Sequence, residues 1–132
     1  MLNRFYVNPI LPAQDADRAR RFYRDVLGLD LLTGPTDDPM VFGAAEGSSV
    51  ALSEMPDRTP PPYPMISFSV TGIEEVVDAL KARGATFQPL GPGSFAGVEG
   101  KAIGDVMDFG AAKSAFLKDS EGNVIALNEF IG

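Results

Sequence analysis

The chain has 132 residues, 45% hydrophobic and 22% charged, which suits one globular domain with a real core. It contains no cysteine and no histidine. That excludes disulfides, thiol nucleophiles, thiolate metal sites, imidazole bases and any Ser-His-Asp triad. A net charge of −7 argues against nucleic acid, whose phosphates need clustered Lys and Arg. It favours a cationic small-molecule partner, or simply an acidic, soluble surface.

Phe5 to Leu11 reads as a first strand, with Pro9 and Pro12 confining it to an edge or a bulge. Ala19, Phe22, Tyr23, Val26 and Leu27 then recur at helical spacing and predict one apolar helix face. Asp15 is the expected N-cap and Gly28 the expected stop. Leu29 to Thr33, Met40 to Gly43 and Ser48 to Ser53 read as three further strands, separated by turns rich in Gly, Pro and Asp. Residues 55–64 form a proline-rich connector, extended and semi-rigid.

The second half repeats the first. Met65 to Val70 is a strand, and Thr71-Gly-Ile-Glu74 has the capping-box pattern. Ile73, Val76, Val77 and Leu80 predict a second helix, stopped by Gly84. Thr86 to Gln88 reads as a short strand, and residues 89–107 as a glycine-rich loop. Asp108 to Leu117 holds a strand, Asp119 to Gly122 a turn, and Asn123 to Glu129 the last strand. Each half is strand–helix–strand–strand–strand, an internal repeat of about 60 residues. The expected organisation is a first module (1–54), the connector (55–64) and a second module (65–132). No apolar run is long enough to span a membrane. The first residues lack the pattern of a secretory leader, and the expected location is the cytoplasm.

Phe22-Tyr23-Arg24-Asp25-Val26-Leu27-Gly28 after the first strand, and Lys118-Asp119-Ser120-Glu121-Gly122-Asn123 before the last, resemble motifs of the vicinal oxygen chelate superfamily. That group contains glyoxalase I, extradiol dioxygenases, fosfomycin-modifying enzymes and bleomycin-resistance proteins. Ser120 stands where the family usually has proline. The resemblance implies an α+β fold: two βαβββ modules forming curved mixed sheets around a cavity. It implies modules that pair within a chain or exchange between the chains of a homodimer. Its enzymes hold a divalent metal in the cavity through His or Glu on the first and last strands of each module.

Carried onto this chain, those ligand positions fall on Asn8, Ala51, Met65 and Ala126. One neutral amide, one thioether and two alanines are not the ligands of a hard cation. The expectation is therefore no metal and no cofactor. Glu54 and Glu129 sit near strand ends, where a bulge would have to move them inward. Their parity places them with Val50 and Leu52 and with Ile125 and Leu127, on the faces expected to meet the helices.

The opposite faces carry small or weakly polar side chains. Ser49, Ala51 and Ser53 alternate in one module; Met65 and Ser67, and Ala126 and Asn128, alternate in the other. With Asn8 and a loop residue, Phe95, these form the expected ligand-binding set. Arg18, Arg20, Arg21 and Arg24 read as a solvated helix face rather than an anion site. The favoured function is binding or sequestering a small molecule, a drug or a metabolite. The alternative is a superfamily enzyme, lyase, isomerase or dioxygenase-like, using a displaced or metal-free carboxylate site.

Overall fold

Two sheets with the same strand order underlie the repeat. The computed structural model describes residues 1–89 and 100–131. The chain divides into two compact units, Met1–Pro60 and Pro61–Gly132, and the division falls inside the proline-rich stretch.

The first unit contains β1 (Ile10–Ala13), helix α1 (Ala16–Arg21), β2 (Asp30–Leu31), β3 (Met40–Gly43) and β4 (Ser49–Glu54). Its sheet order is β1-β4-β3-β2. β1 runs parallel to β4, and the other pairs are antiparallel. Parallel pairing of first and last strand needs a crossover, which α1 begins. The Asp15 carboxylate caps α1 by accepting the Arg18 N–H at 3.1 Å. Beyond Arg21 the helix widens into a π turn, Phe22–Val26, instead of continuing regularly to Leu27. The Leu27 N–H reaches five residues back to the Phe22 carbonyl, at 3.1 Å. Gly28, at φ 72°, then takes the left-handed turn that ends it. Ala19 and Tyr23 are fully buried, and the Tyr23 ring lies 5.5 Å from that of Phe42.

β1 begins later than the sequence predicts. Leu2–Arg4 form a short 3₁₀ turn. Pro9, with no N–H to give, contributes only its carbonyl, which accepts the Ala51 N–H at 2.9 Å. Leu2, Phe5, Tyr6, Val7 and Ile10 are exposed.

The second unit contains β5 (Pro64–Ser69), helix α2 (Ile73–Ala82), β6 (Lys101–Ile103), β7 (Val106–Asp108), β8 (Ala112–Lys118) and β9 (Val124–Phe130). Its order, β5-β9-β8-β7-β6, again sets the first strand parallel to the last. It has one strand more than the repeat predicts. Thr86 to Gln88 contributes only an isolated bridge, between Phe87 and Leu117. The sheet edge is taken instead by the β6–β7 hairpin, which turns at Gly104 (φ 61°) within the stretch read as loop.

The capping box expected at Thr71 does not form. Gly72 occupies the N-cap and has no side chain to offer. The carboxylate of Glu129, on β9, accepts the N–H groups of Gly72 (2.7 Å) and Ile73 (3.1 Å). Two of the helix's unpaired donors thus meet an anion from across the sheet. Beside it, Lys113 on β8 bonds Glu74 in the first turn of α2, at 3.0 Å.

The β8–β9 turn is buried and closed by Asp119. Its Oδ1 accepts the N–H groups of Glu121 and Asn123, both at 2.8 Å, and its Oδ2 accepts the Asn123 amide at 2.8 Å. This geometry needs Asp at the start and Asn at the end of the Asp-Ser-Glu-Gly-Asn run. It does not need a proline at position 120, where the Ser120 hydroxyl donates to the Glu121 carboxylate.

Candidate functional site

Side chains alternate along β9, so Ala126, Asn128 and Phe130 face away from Ile125, Leu127 and Glu129. The register pairs Ser67 with Ala126 and Ser114 with Asn128. All four therefore share the sheet face turned away from α2. On this face lies a hollow of about 780 Å³, floored by Met65, Ser67, Ala112, Ser114, Ala126 and Asn128. Tyr63, Phe109 and Phe130 add aromatic rings to its wall. Its volume suits a small organic molecule. The floor is deep because its central side chains are small. Although the chain carries a net charge of −7, no charged side chain among the described residues lines this hollow.

Besides the hydroxyl-bearing Tyr63 and Ser67, the hollow contains a hydrogen-bonded polar pair. Ser114, 3% exposed, donates its hydroxyl to the Asn128 Oδ1 at 2.6 Å. Burial of the hydroxyl is offset by that bond. The bond occupies the amide oxygen with a donor and so fixes the orientation of the amide.

Of the residues singled out from the sequence, Met65, Ser67, Ala126 and Asn128 come together here. Asn8, Ser49, Ala51 and Ser53 belong to the first unit, where Ser49, Ala51 and Ser53 share one face of β4. There the polar groups bond one another: Ser49 donates to the Asn8 Oδ1, and Ser53 to the Asp38 Oδ1 at 2.9 Å. Ala51 is buried. Phe95 lies outside the described residues. Sequence reasoning missed Tyr63, Phe109, Ala112, Ser114 and Phe130. Tyr63 and Phe109 lie outside any strand, and β8 is apolar on both faces near its middle, which hides its alternation. Phe130 shares the parity of Ala126 and Asn128 and was within reach of the same argument.

The two strand-end carboxylates lie elsewhere. Glu129 is committed to the start of α2. Glu54, on the Leu52 face of β4, borders a smaller hollow of about 210 Å³ with Asp17, Arg20, Asp37 and Asp38. Arg20 bonds Asp17 and the Pro35 carbonyl, each at 2.6 Å. Asp37 accepts the Gly34 N–H at 2.7 Å.

Among the described residues no group of three or more His, Cys, Asp or Glu side chains is placed to hold a metal ion. At the four positions where metal-dependent relatives place ligands, the Asn8 oxygen is engaged by Ser49 and the two alanines offer no donor. That donor set does not fit a hard divalent cation. The perturbed titrating groups are surface pairs. The hydrogen bond from Lys113 holds the Glu74 carboxyl below its ordinary value, and the same bond raises Lys113. The hydrogen bond from Arg24 lowers Asp25. Asp105 raises Lys81 in the same way.

No helix among the described residues is long and apolar enough to cross a membrane. No curated protein matches the chain in a sequence search. Solved structures do share its fold. TnmS3, an antibiotic binding protein from Streptomyces sp. CB03234, is 22% identical, with 96% of this chain and 97% of that one covered and a TM-score of 0.68. The fosfomycin resistance protein FosX from Listeria monocytogenes is 14% identical, with 96% and 91% covered and a TM-score of 0.69. An integron cassette protein from the mobile metagenome of Halifax Harbour sewage outfall is 15% identical, with 96% and 99% covered and a TM-score of 0.67. The family model for the Glyoxalase/Bleomycin resistance protein/Dioxygenase superfamily matches residues 6–127. With that match over nearly its whole length, and with two sheets that each pair first strand with last, the chain belongs to the glyoxalase/bleomycin resistance protein/dioxygenase superfamily.

Proposed function

We propose that this protein binds a small organic molecule in the hollow of its second unit, without a metal ion. The observation that carries this is the lining among the described residues: small and apolar side chains, aromatic walls, one oriented serine–asparagine pair and no charged side chain. Such a surface holds a ligand by shape and burial, and among the described residues its lining contains no carboxylate, amine or imidazole to act as a general acid or base. The antibiotic-binding relative of the same fold supports binding as the function. The carboxylate-based enzyme draws no support from the geometry, since Glu129 caps a helix and Glu54 borders a different hollow. A homodimer is supported by the exposed apolar run Leu2, Phe5, Tyr6, Val7 and Ile10, a surface suited to burial against a second copy. A cysteine-free chain suits a cytoplasmic location equally.

Metal analysis of protein purified without chelators, with thermal shifts in Zn, Ni, Mn and Fe, tests the metal-free reading. The expected result is no stoichiometric metal and no specific stabilisation. One ion per chain, lost in Glu54→Ala or Glu129→Ala, would overturn it. A thermal-shift screen of drug-like compounds tests binding, because a ligand of the native state raises the midpoint. Ser67→Trp, at an exposed position on the strand, should fill the hollow and abolish each shift, whereas Ser53→Trp in the first unit should not. Light scattering after gel filtration tests the dimer, whose loss in Phe5→Asp with Val7→Asp is the expected outcome.

A further inference from the structure

Resting on that reading of the hollow, we infer that its ligand is an uncharged, flat molecule that presents a carbonyl-type acceptor to the amide of Asn128. Among the described residues the lining supplies no charge to pair with an ionised ligand. An ion brought into an apolar hollow loses hydration that nothing there replaces. Tyr63, Phe109 and Phe130 offer ring faces and edges, which suit a planar π system. The floor beneath them is built from Ser67, Ala112 and Ala126, small enough to admit a flat body close to the sheet.

The direction of the hydrogen bond follows from the serine–asparagine pair. Ser114 is buried, and its hydroxyl proton goes to the Asn128 Oδ1 at 2.6 Å. The Asn128 NH₂ has no protein partner among the described residues. Asn128 lines the hollow, and the complement of its NH₂ donor is an acceptor oxygen. A ligand offering only donors would leave that group unpaired on burial.

The test is a matched series of probes measured by titration calorimetry: fluorenone, the hydrocarbon fluorene, and fluorenones bearing a carboxylate or a trimethylammonium group. Fluorenone should bind wild-type protein about tenfold more tightly than fluorene, the worth of one well-placed hydrogen bond. Asn128→Asp retains the acceptor for Ser114 but removes the NH₂. It should weaken fluorenone about tenfold and leave fluorene within about twofold. Ser114→Ala, which frees the amide to turn over, should cost fluorenone about threefold. Equal binding of fluorenone and fluorene by the wild-type protein would overturn the assignment, and so would equal losses of both in Asn128→Asp. Tighter binding of a charged derivative would overturn the ligand class while leaving small-molecule binding intact. If no probe of the series binds, both readings fail.

Discussion

The two units share one strand order and differ in what their matching faces do. In the first, the small-residue face of β4 carries polar groups already bonded within the unit, Asn8 with Ser49 and Ser53 with Asp38. In the second, the equivalent face opens into a hollow of about 780 Å³ whose one polar pair still has donors to give. The topology repeats, but the role of the face does not. The units differ in the same way at their helix starts and at their last turns. The first unit manages both with neighbours in sequence and exposed groups. The second uses buried groups and contacts from across the sheet.

The largest expected effect separates the two last turns. Asp119→Ala leaves two backbone N–H groups and the Asn123 amide without their acceptor in a buried turn. A loss of about 3 kcal/mol in urea-denaturation stability is expected. The corresponding turn of the first unit is exposed, and there the Ser48 hydroxyl donates to the Ala45 carbonyl. Ser48→Ala should cost less than about 0.5 kcal/mol. Equal losses would break the comparison.

The helix starts come next. Glu129→Ala removes the acceptor of two N–H groups in a half-buried place, at a cost of about 2 kcal/mol. Glu129→Gln, which keeps one acceptor, should fall between it and the wild type. Asp15→Ala in the first unit removes an exposed local cap and should cost about 1 kcal/mol. Hydrogen exchange of the Gly72 and Ile73 amides should accelerate in Glu129→Ala and not in Asp15→Ala.

The smallest effect is in the pH dependence. Glu74 is held below its ordinary value, so its contribution is complete above the unfolded carboxylate range. It is lost as pH falls through the lower folded value. Lys113 is raised, so its contribution is complete below the unfolded lysine value and lost as pH rises through the higher folded one. Lys113→Met should therefore flatten both limbs of the stability profile. In the first unit Asp25, lowered by Arg24, follows the same acid-side sign. That pair is exposed and adjacent in sequence, so Arg24→Gln should have a smaller effect that vanishes in salt.

Features carried by neighbouring residues were legible in the sequence. The strand–helix–strand repeat, the Asp15 cap, the Gly28 stop and β3 at Met40–Gly43 all followed from periodicity and turn chemistry over a few positions. The parity argument also assigned opposite faces to Glu129 and Asn128, as the register of β9 has them. The β6–β7 hairpin was hidden because its short strands follow a glycine-rich run with no clear alternation. The Thr71 capping box was misread because Glu129, 57 positions away from Gly72, competes for the same donors. Of the eight residues proposed for a ligand that are described, Met65, Ser67, Ala126 and Asn128 line the hollow.

By itself, then, the amino-acid sequence determined the repeated α+β plan, the caps and stops within reach of one turn, and which side chains share a strand face. These depend on backbone geometry over a few residues, where side-chain period and turn preference decide. Tertiary structure alone decided that Glu129 serves α2, that Ser114 orients Asn128, and that one small-residue face is hollow while the other is bonded shut. Each of those depends on strand register, which brings together groups that no local pattern connects.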